Sequence, residues 1–378
     1  MIRTNRNPLL SLLFNIVLLL FAVCCRAQSP IVTSNIPSAA SMRVSVNLIA
    51  QSAVKRMGGK MVRIQTGMDA LDVLKPPAFP LKSLSDVQAG LASNGLQAQW
   101  LAWGWPHNAG AIKGIPDASN IVIVRAMIQG TVDQIDSRDP NALIEITNEP
   151  DGISEASING VPLWKSEGKT KGWISVRWFD GWWKVWQGVN WRGHKLCMSL
   201  VGCGGAAQKA TEASWHCASG LAIRDMIARS GTTNAVHYNT YPNQTSTFTA
   251  TPKAFTDRYI GVTWANTVAV HKRGILGGLG CCIGEVGVRQ TSTLSGAKLW
   301  GLRQAIVNIL VKLRIPFTEF AILTTDTNSG AGLGVCNLDG TPVYKDLNLA
   351  VPVMAGAALF LDVASAPLPN PAKHKKAA

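Results

Sequence analysis

Short apolar runs alternate with stretches of helical period along this chain. Residues 142–146 form such a run and are followed by the turn signal Pro150-Asp151-Gly152, a pattern that predicts a buried strand. Residues 121–135 and 299–313 instead place apolar side chains three and four positions apart, the spacing of one helix face. The pattern predicts eight strands, at residues 43–49, 60–65, 96–103, 142–146, 195–201, 234–241, 280–288 and 316–323.

Regular alternation of strand and helix over 378 residues predicts a single α/β domain, a closed (β/α)8 barrel of the TIM type. The alternative is an open doubly wound sheet, which needs a glycine-rich first turn to cradle a phosphate. The nearest glycine pair, Gly58-Gly59, precedes a predicted strand rather than opening a helix. We expect the barrel to span residues 28–365, with a disordered basic tail at residues 366–378.

Residues 1–27 have the pattern of a secretory signal peptide. Arg3 and Arg6 precede an apolar stretch at residues 9–23, and Cys25-Arg26-Ala27 supplies a cleavage site. The apolar stretch is short for a membrane span. We expect a secreted or periplasmic protein with no stable membrane insertion after signal removal, and a retained N-terminal anchor is the alternative.

Composition narrows the class of protein. Hydrophobic residues make up 47% of the chain and charged residues 15%, which supports a large core and excludes a disordered chain. The net charge is +14, but no Arg/Lys stripe with interleaved aromatic residues is present, so a nucleic-acid partner is not expected. The scattered positive charge either helps the protein meet acidic polysaccharide or is ordinary solvated surface charge. We expect a monomer.

The cysteines predict no metal site. No CxxC pair and no His/Cys cluster at zinc spacing occurs, so neither a structural metal nor a cofactor is expected. Cys203 and Cys217 bracket a glycine-rich loop and are the first candidates for a disulfide in an oxidising compartment. Cys197, Cys281 and Cys282 lie in apolar runs, which predicts buried thiols.

Tryptophan recurs at helical spacing in the middle of the chain. Trp178, Trp182 and Trp186 lie four residues apart and form one stripe of a helix. Such a stripe predicts packing against the sheet.

Two acids stand where the ends of strands are expected. Asn148-Glu149 follow the fourth predicted strand, and Glu285 lies inside the apolar run of the seventh. The carboxyl ends of barrel strands carry the catalytic groups in this architecture. Two acids three strands apart would face each other across the barrel mouth, as paired carboxylates do in glycoside hydrolysis. For Asn148, the alternative is a helix N-cap, a role that Asp151 could also fill.

Three segments together resemble clan A retaining glycoside hydrolases. They are Asn148-Glu149-Pro150 at strand four, His237-Tyr238-Asn239-Thr240-Tyr241-Pro242 at strand six and Gly284-Glu285 at strand seven. The resemblance covers about residues 40–365 and is closest to cellulase- and mannanase-like members, without resolving a family.

The resemblance implies a double displacement with Glu149 as general acid/base and Glu285 as nucleophile. It implies that Arg63 in strand two and the hydroxyl of Tyr241, preferred to Tyr238, keep Glu285 ionised. The residues themselves leave another role open for Arg63, an ion pair with Glu145 inside the barrel.

The remaining implied residues would bind the sugar. Asn148 would bond the 2-hydroxyl, and His107 and His237 would line the same subsite. Trp103 and Trp105 lie near a strand end and would stack on sugar rings. His107 could instead lie at the surface, His237 could be a core histidine, and both tryptophans could serve packing.

One departure bears on the substrate. The clan often has a tryptophan at the end of strand eight, whereas residues 317–326 contain none and offer Glu319 and Asp326. The resemblance implies hydrolysis of β-linked oligo- or polysaccharide. A non-hydrolytic glycan-binding barrel and an envelope-glycan transglycosylase are the alternatives.

Overall fold

The structure, a computed structural model, describes a large part of the chain between residues 33 and 319. The described residues are 33–36, 51–56, 61–65, 81–101, 115–116, 118–136, 139–147, 157–158, 161–170, 173–200, 213–232, 235–240, 251–265, 276, 279–288, 294 and 296–319. The predicted signal segment, the basic tail and the end of the eighth predicted strand lie outside them.

Eight parallel strands form the central sheet. They are β1 (Thr33–Ile36), β2 (Met61–Gln65), β3 (Gln97–Leu101), β4 (Leu143–Glu145), β7 (Lys195–Leu200), β8 (Val236–Thr240), β9 (Cys281–Val286) and β10 (Phe317–Glu319). They pair in the order β1-β10-β9-β8-β7-β4-β3-β2. Because β1 also pairs with β2, the sheet curls and its ladder returns to its start.

The helices lie between these strands in the chain. They are α1 (Leu81–Asn94), α2 (Ile121–Asp136), α3 (Leu163–Ser166), α4 (Val176–Trp186), α5 (Ala218–Arg229), α6 (Pro252–Ala254) and α7 (Gly296–Lys312), with a π-helix at Phe255–Trp264 and helical residues at 51–56. α1 ends where Asn94-Gly95 predicts, because Gly95 adopts φ 64° and its N–H bonds back to Ala92. No helix among the described residues combines the length and apolar character needed to cross a membrane.

One continuous apolar core joins the sheet to the helices. On α2, Val124, Ile128, Val132 and Ile135 are buried, as their spacing predicts. They belong to the same core cluster as Ile64 of β2 and other apolar strand residues, which alternate with polar ones. The opposite faces of the strands therefore point to the inside of the curled sheet.

The tryptophan stripe packs as predicted. Trp178, Trp182 and Trp186 of α4 are fully buried, and the ring centroids of Trp182 and Trp186 are 5.2 Å apart. α4 also approaches the chain at residues 115–116, since a Cβ on Gly181 would lie 2.9 Å from the carbonyl oxygen of Pro116. The aromatic helix is thus a structural part of the outer layer.

The strand between β10 and β2 was not predicted. Its residues, Thr33–Ile36, were placed by the sequence in an extended lead-in. The first predicted strand, residues 43–49, lies outside the described residues. This strand has four residues, Thr-Ser-Asn-Ile, with no apolar run to mark it. An antiparallel hairpin of β5 (Ser157–Ile158) and β6 (Val161–Pro162) was also not predicted.

The prediction of a disulfide between Cys203 and Cys217 was wrong. Cys217 is a free thiol, and its Sγ accepts a hydrogen bond from the N–H of Gly220 at 3.3 Å. It is the N-cap residue of α5. Cys197, Cys281 and Cys282 are buried, as predicted.

Candidate active site

A cluster of polar side chains fills the inside of the curled sheet. Arg63 of β2, Gln99 of β3, Glu145 of β4 and His237 of β8 are each at most 3% exposed. They contact one another across strands that are not neighbours, which is possible only through the interior of the sheet. Barrel interiors are usually filled by branched apolar residues. In this protein, by contrast, the inside of the curled sheet is polar directly below the ends of the strands.

Arg63 and Glu145 form a buried, two-pronged ion pair. Arg63 Nε donates to Glu145 Oε2 at 2.5 Å, and Arg63 Nη2 donates to Glu145 Oε1 at 2.7 Å. Both side chains have no solvent exposure. The structure thus shows the interior partner that the sequence offered as the alternative for Arg63.

The charge state of Glu145 follows from this pairing. Burial raises the pKa of the carboxyl, but the charge and hydrogen bonds of Arg63, with smaller contributions from His237 and Gln99, outweigh burial and hold the pKa below its usual value. Glu145 is therefore ionised. A buried pair of this kind tolerates the loss of neither partner.

Gln99 connects this pair to the histidine. Its Nε2 lies 2.8 Å from Glu145 Oε2 and 3.3 Å from Nδ1 of His237. On the ladder, His237 stands opposite Ser199 of β7 and Cys282 of β9. Sequence reasoning missed Gln99, although its strand parity relative to the core residues Ala98 and Trp100 could have indicated an inward position.

A possible metal ligand set exists within the described residues. One donor atom each from Glu145, Cys197 and His237 lies within 4.8 Å of the others. Both Glu145 oxygens already accept bonds from Arg63 and Gln99. Burial, aided by the charge of Glu145, raises the pKa of the Cys197 thiol well above its usual range. A cation would therefore have to displace Arg63, and hydrogen bonds account for the cluster without one.

The strand that carries Glu285 contains one extra residue. Against β8, Ile283 pairs with Tyr238 while Glu285 pairs with Asn239, and against β10, Ile283 pairs with Phe317 while Val286 pairs with Glu319. Both neighbours thus place a bulge between Ile283 and Val286.

The positions of the buried residues along β9 show the same one-residue shift. Before the bulge, Cys281 and Ile283 belong to the outer apolar core, and after it, Val286 and Val288 do. The core positions switch from odd to even numbers, since one extra residue reverses the alternation of a strand. Counted back from Val286, the backbone position of Glu285 has the parity of the interior rather than that of Cys281 and Ile283.

β4 leads toward the other predicted acid. Beyond Glu145, Ile146 N–H bonds to the carbonyl of Cys197, and Ser199 N–H bonds to the carbonyl of Thr147. The pairing therefore continues to Thr147, the residue before Asn148. Thr147 is fully buried, and its hydroxyl has no hydrogen-bond partner among the described residues.

Most of the predicted site residues lie beyond what the structure describes. Arg63 and His237 are described and lie in the one buried cluster, and their contacts with substrate remain predictions. The backbone of Glu285 is in β9, while its side chain is outside the described part. The residues wholly outside it are Asn148, Glu149, Tyr241, His107, Trp103 and Trp105.

No protein-family model matches the chain, and no curated protein matches it by sequence. Solved structures similar to it include the GH5_18 protein from Streptomyces cattleya in complex with GlcNAc, with a TM-score of 0.53 at 11% identity, covering 88% of this chain and 80% of that one. The endo-1,4-beta-mannanase from Rhizomucor miehei has a TM-score of 0.51 at 11% identity, covering 87% and 94%.

These similarities show the fold. The structural neighbours are clan A glycoside hydrolases, so the resemblance found in the three sequence segments is confirmed at the level of the clan's fold. The family within the clan is not resolved.

Proposed function

We propose that the chain is a secreted or periplasmic (β/α)8 barrel that hydrolyses β-linked glycan with retention of anomeric configuration. Glu149 is the general acid/base and Glu285 the nucleophile. The observation that carries the proposal is the extra residue in β9, which gives the Glu285 backbone position interior parity. Bulges beside active sites re-aim single side chains in this way.

The reaction would run in two steps. Glu149 donates a proton to the glycosidic oxygen while Glu285 attacks the anomeric carbon, which forms a glycosyl-enzyme ester and releases the leaving alcohol. Water then attacks the same carbon, Glu149 takes its proton and the ester is cleaved. The two carboxyl groups of such a pair lie about 5–5.5 Å apart.

The polar interior supports this site from below. Glu145 fixes the position of Arg63 beneath the strand ends, and a guanidinium near the nucleophile would favour the ionised form of Glu285. Tyr241 would donate to the same carboxylate. Asn148, His107 and His237 would bind sugar hydroxyls, and Trp103 and Trp105 would stack on the rings.

The test is a substrate panel of β-glucans, mannans, xylans and aryl β-glycosides, with the anomer of the first product read by NMR. Glu149→Gln and Glu285→Gln should each abolish polysaccharide hydrolysis in a folded protein. Glu167→Gln is the control, because Glu167 accepts a hydrogen bond from the hydroxyl of Ser175 and is not a member of the buried cluster. It should keep full activity.

An activated aryl glycoside separates the two roles. It needs no proton donor for departure of the phenol, so Glu149→Gln should form the glycosyl-enzyme and be rescued by azide, giving a β-glycosyl azide. Near-full hydrolysis by either glutamine variant, or an inverted product, overturns the assignment. Binding without turnover would support the glycan-binding barrel, and products longer than the substrate would support the transglycosylase.

A further inference from the structure

The side-chain amide of Gln99 lies between an anion and a histidine. Its Nε2 is 2.8 Å from Glu145 Oε2 and 3.3 Å from His237 Nδ1. Gln99 is 3% exposed, so water does not compete for these contacts. The amide therefore links the ion pair directly to the ring.

The chemistry of Glu145 fixes which way the amide faces. An ionised carboxylate only accepts hydrogen bonds, and the guanidinium of Arg63 keeps Glu145 ionised. An amide oxygen facing Oε2 would set two acceptors against each other in a buried site, which is unfavourable because no water is there to satisfy either of them. The NH₂ group must therefore face Glu145.

The orientation of the Gln99 amide then determines the tautomer of the His237 ring. An NH₂ group has two hydrogens, of which one bonds to Glu145 and the other is directed at His237 Nδ1. A ring nitrogen that faces an N–H donor must carry its lone pair. A protonated Nδ1 would set two hydrogens against each other, so the imidazole is neutral and its proton lies on Nε2.

We propose that Gln99 is a positioning residue that fixes His237 as the neutral Nε2–H tautomer, so that the ring offers a hydrogen-bond donor to its ligand. A donor suits a sugar hydroxyl oxygen, and the part of the inference that concerns sugar rests on the proposed function. Gln99 acts through His237 and through the orientation of one proton, as partners behind a working histidine do.

The tautomer can be measured without any substrate. In protein labelled with ¹⁵N-histidine, long-range ¹H–¹⁵N spectra distinguish a protonated from an unprotonated ring nitrogen, and loss of the signal in His237→Asn assigns it. We expect an unprotonated Nδ1 and a protonated Nε2 in the unaltered protein. A protonated Nδ1 would overturn the proposal, even if no Gln99 variant folds.

Substitution tests the role of Gln99 itself. Gln99→Met keeps the length of the side chain and removes both donors, so His237 should lose its single tautomer and show mixed or Nδ1–H signals. The matched control is Gln88→Met, because Gln88 is also buried and its Nε2 donates to the carbonyl of Ile135 far from the ring. It should lose stability and leave the His237 signals unchanged. Unchanged His237 signals in Gln99→Met would reject the proposal.

Kinetics then connect the tautomer to the proposed activity. On the best substrate of the panel, Gln99→Met should lower kcat/KM about tenfold, the effect of one lost net hydrogen bond, and Gln88→Met should not. A protein that turns over no glycan but has the Nε2–H tautomer refutes the proposed function alone. A protein that hydrolyses glycan equally well with and without Gln99 refutes the functional part of this inference alone.

Discussion

Arg63 and Glu145 are joined by two hydrogen bonds, although β3 lies between their strands. Nε–Oε2 and Nη2–Oε1 distances of 2.5 and 2.7 Å describe a parallel, two-pronged contact with no solvent exposure. The geometry is the strongest that an Arg–carboxylate pair adopts. The pair ties β2 to β4 beneath the place where the chain leaves toward Glu149.

Removing one partner should destabilise the protein more than removing both. Arg63→Met or Glu145→Leu alone leaves a buried, unpaired charge and should lower the free energy of unfolding by about 3–5 kcal/mol. The double variant should recover most of this loss, since neither charge remains. Urea titrations of the four proteins measure the cycle. The exposed pair Arg192–Asp133 serves as the control, and Asp133→Asn should have a much smaller effect. Additive losses in the buried pair would contradict the expectation.

Acid should weaken the protein through Glu145. The folded-state pKa of this carboxyl lies below its value in the unfolded chain, so the unfolded chain binds the proton first. The contribution to stability is complete above the unfolded pKa and is lost as the pH falls through the lower folded one. We expect the free energy of unfolding of the unaltered protein to fall more steeply below about pH 4.5 than that of Glu145→Gln.

The pKa of Asp139 is shifted in the opposite direction from that of Glu145. Burial raises the pKa of Asp139, so its ionisation costs stability as the pH rises above the usual aspartate range. Asp139→Asn should therefore gain stability relative to the unaltered protein at neutral pH and lose that advantage in acid. Urea titrations at a series of pH values test both variants, and equal slopes for all three proteins would contradict both expectations.

Deleting Gly284 should abolish activity because it removes the bend that the bulge makes next to Glu285. Without Gly284, Glu285 would follow Ile283 directly and keep interior parity, and Val286 would stay in the apolar core, so only the bulge is lost. We expect loss of glycan hydrolysis in a protein that still folds. Gly231, at the end of α5 with φ 73°, offers a stability control: Gly231→Ala should destabilise and keep activity. Activity in the deletion variant would reject the role of the bulge.

Cys217 should behave as a helix cap rather than as half of a disulfide. Cys217→Ser keeps an acceptor for the Gly220 N–H and should match or exceed the unaltered protein in stability. Cys217→Ala removes it and should cost up to about 1 kcal/mol. Reductant should change neither the melting temperature nor the activity. Mass spectrometry of alkylated, unreduced protein checks the thiol directly, and a missing adduct on Cys217 would contradict the free thiol.

The sequence predicted the elements that have a strong pattern. The strands of the central sheet from β2 onward and the face of α2 follow from apolar periodicity, and the inward position of Glu145 follows from alternation. β1 was missed because Thr-Ser-Asn-Ile is short and polar, and its place depends on partners from both ends of the described chain. The bulge in β9 was missed because Gly284 interrupts the run without showing how its neighbours pair.

Some residues of the candidate site could likewise be predicted from the sequence, and others could not. Acids at strand ends were visible from the sequence, and so was the pair of roles open to Arg63. Gln99 was not, because a glutamine in a strand has no distinguishing pattern until Glu145 and His237 are both placed beside it. Whether a residue belongs to the buried polar cluster depends on contacts between distant strands across the interior of the sheet. The pattern of apolar and polar residues within one strand does not show these contacts.

The pairing of β1 has a consequence for the order of folding. Thr33 pairs with Met61, close by in sequence, and with Thr318, close to the last described residue. The first contact can form early during synthesis, whereas the second closes a loop that contains nearly all other strands and carries a large entropic cost. Until β10 is made, β1 and β9 each retain an open edge that can pair with another chain. The pairing of β10 with β1 and β9 therefore covers both of these edges in one step.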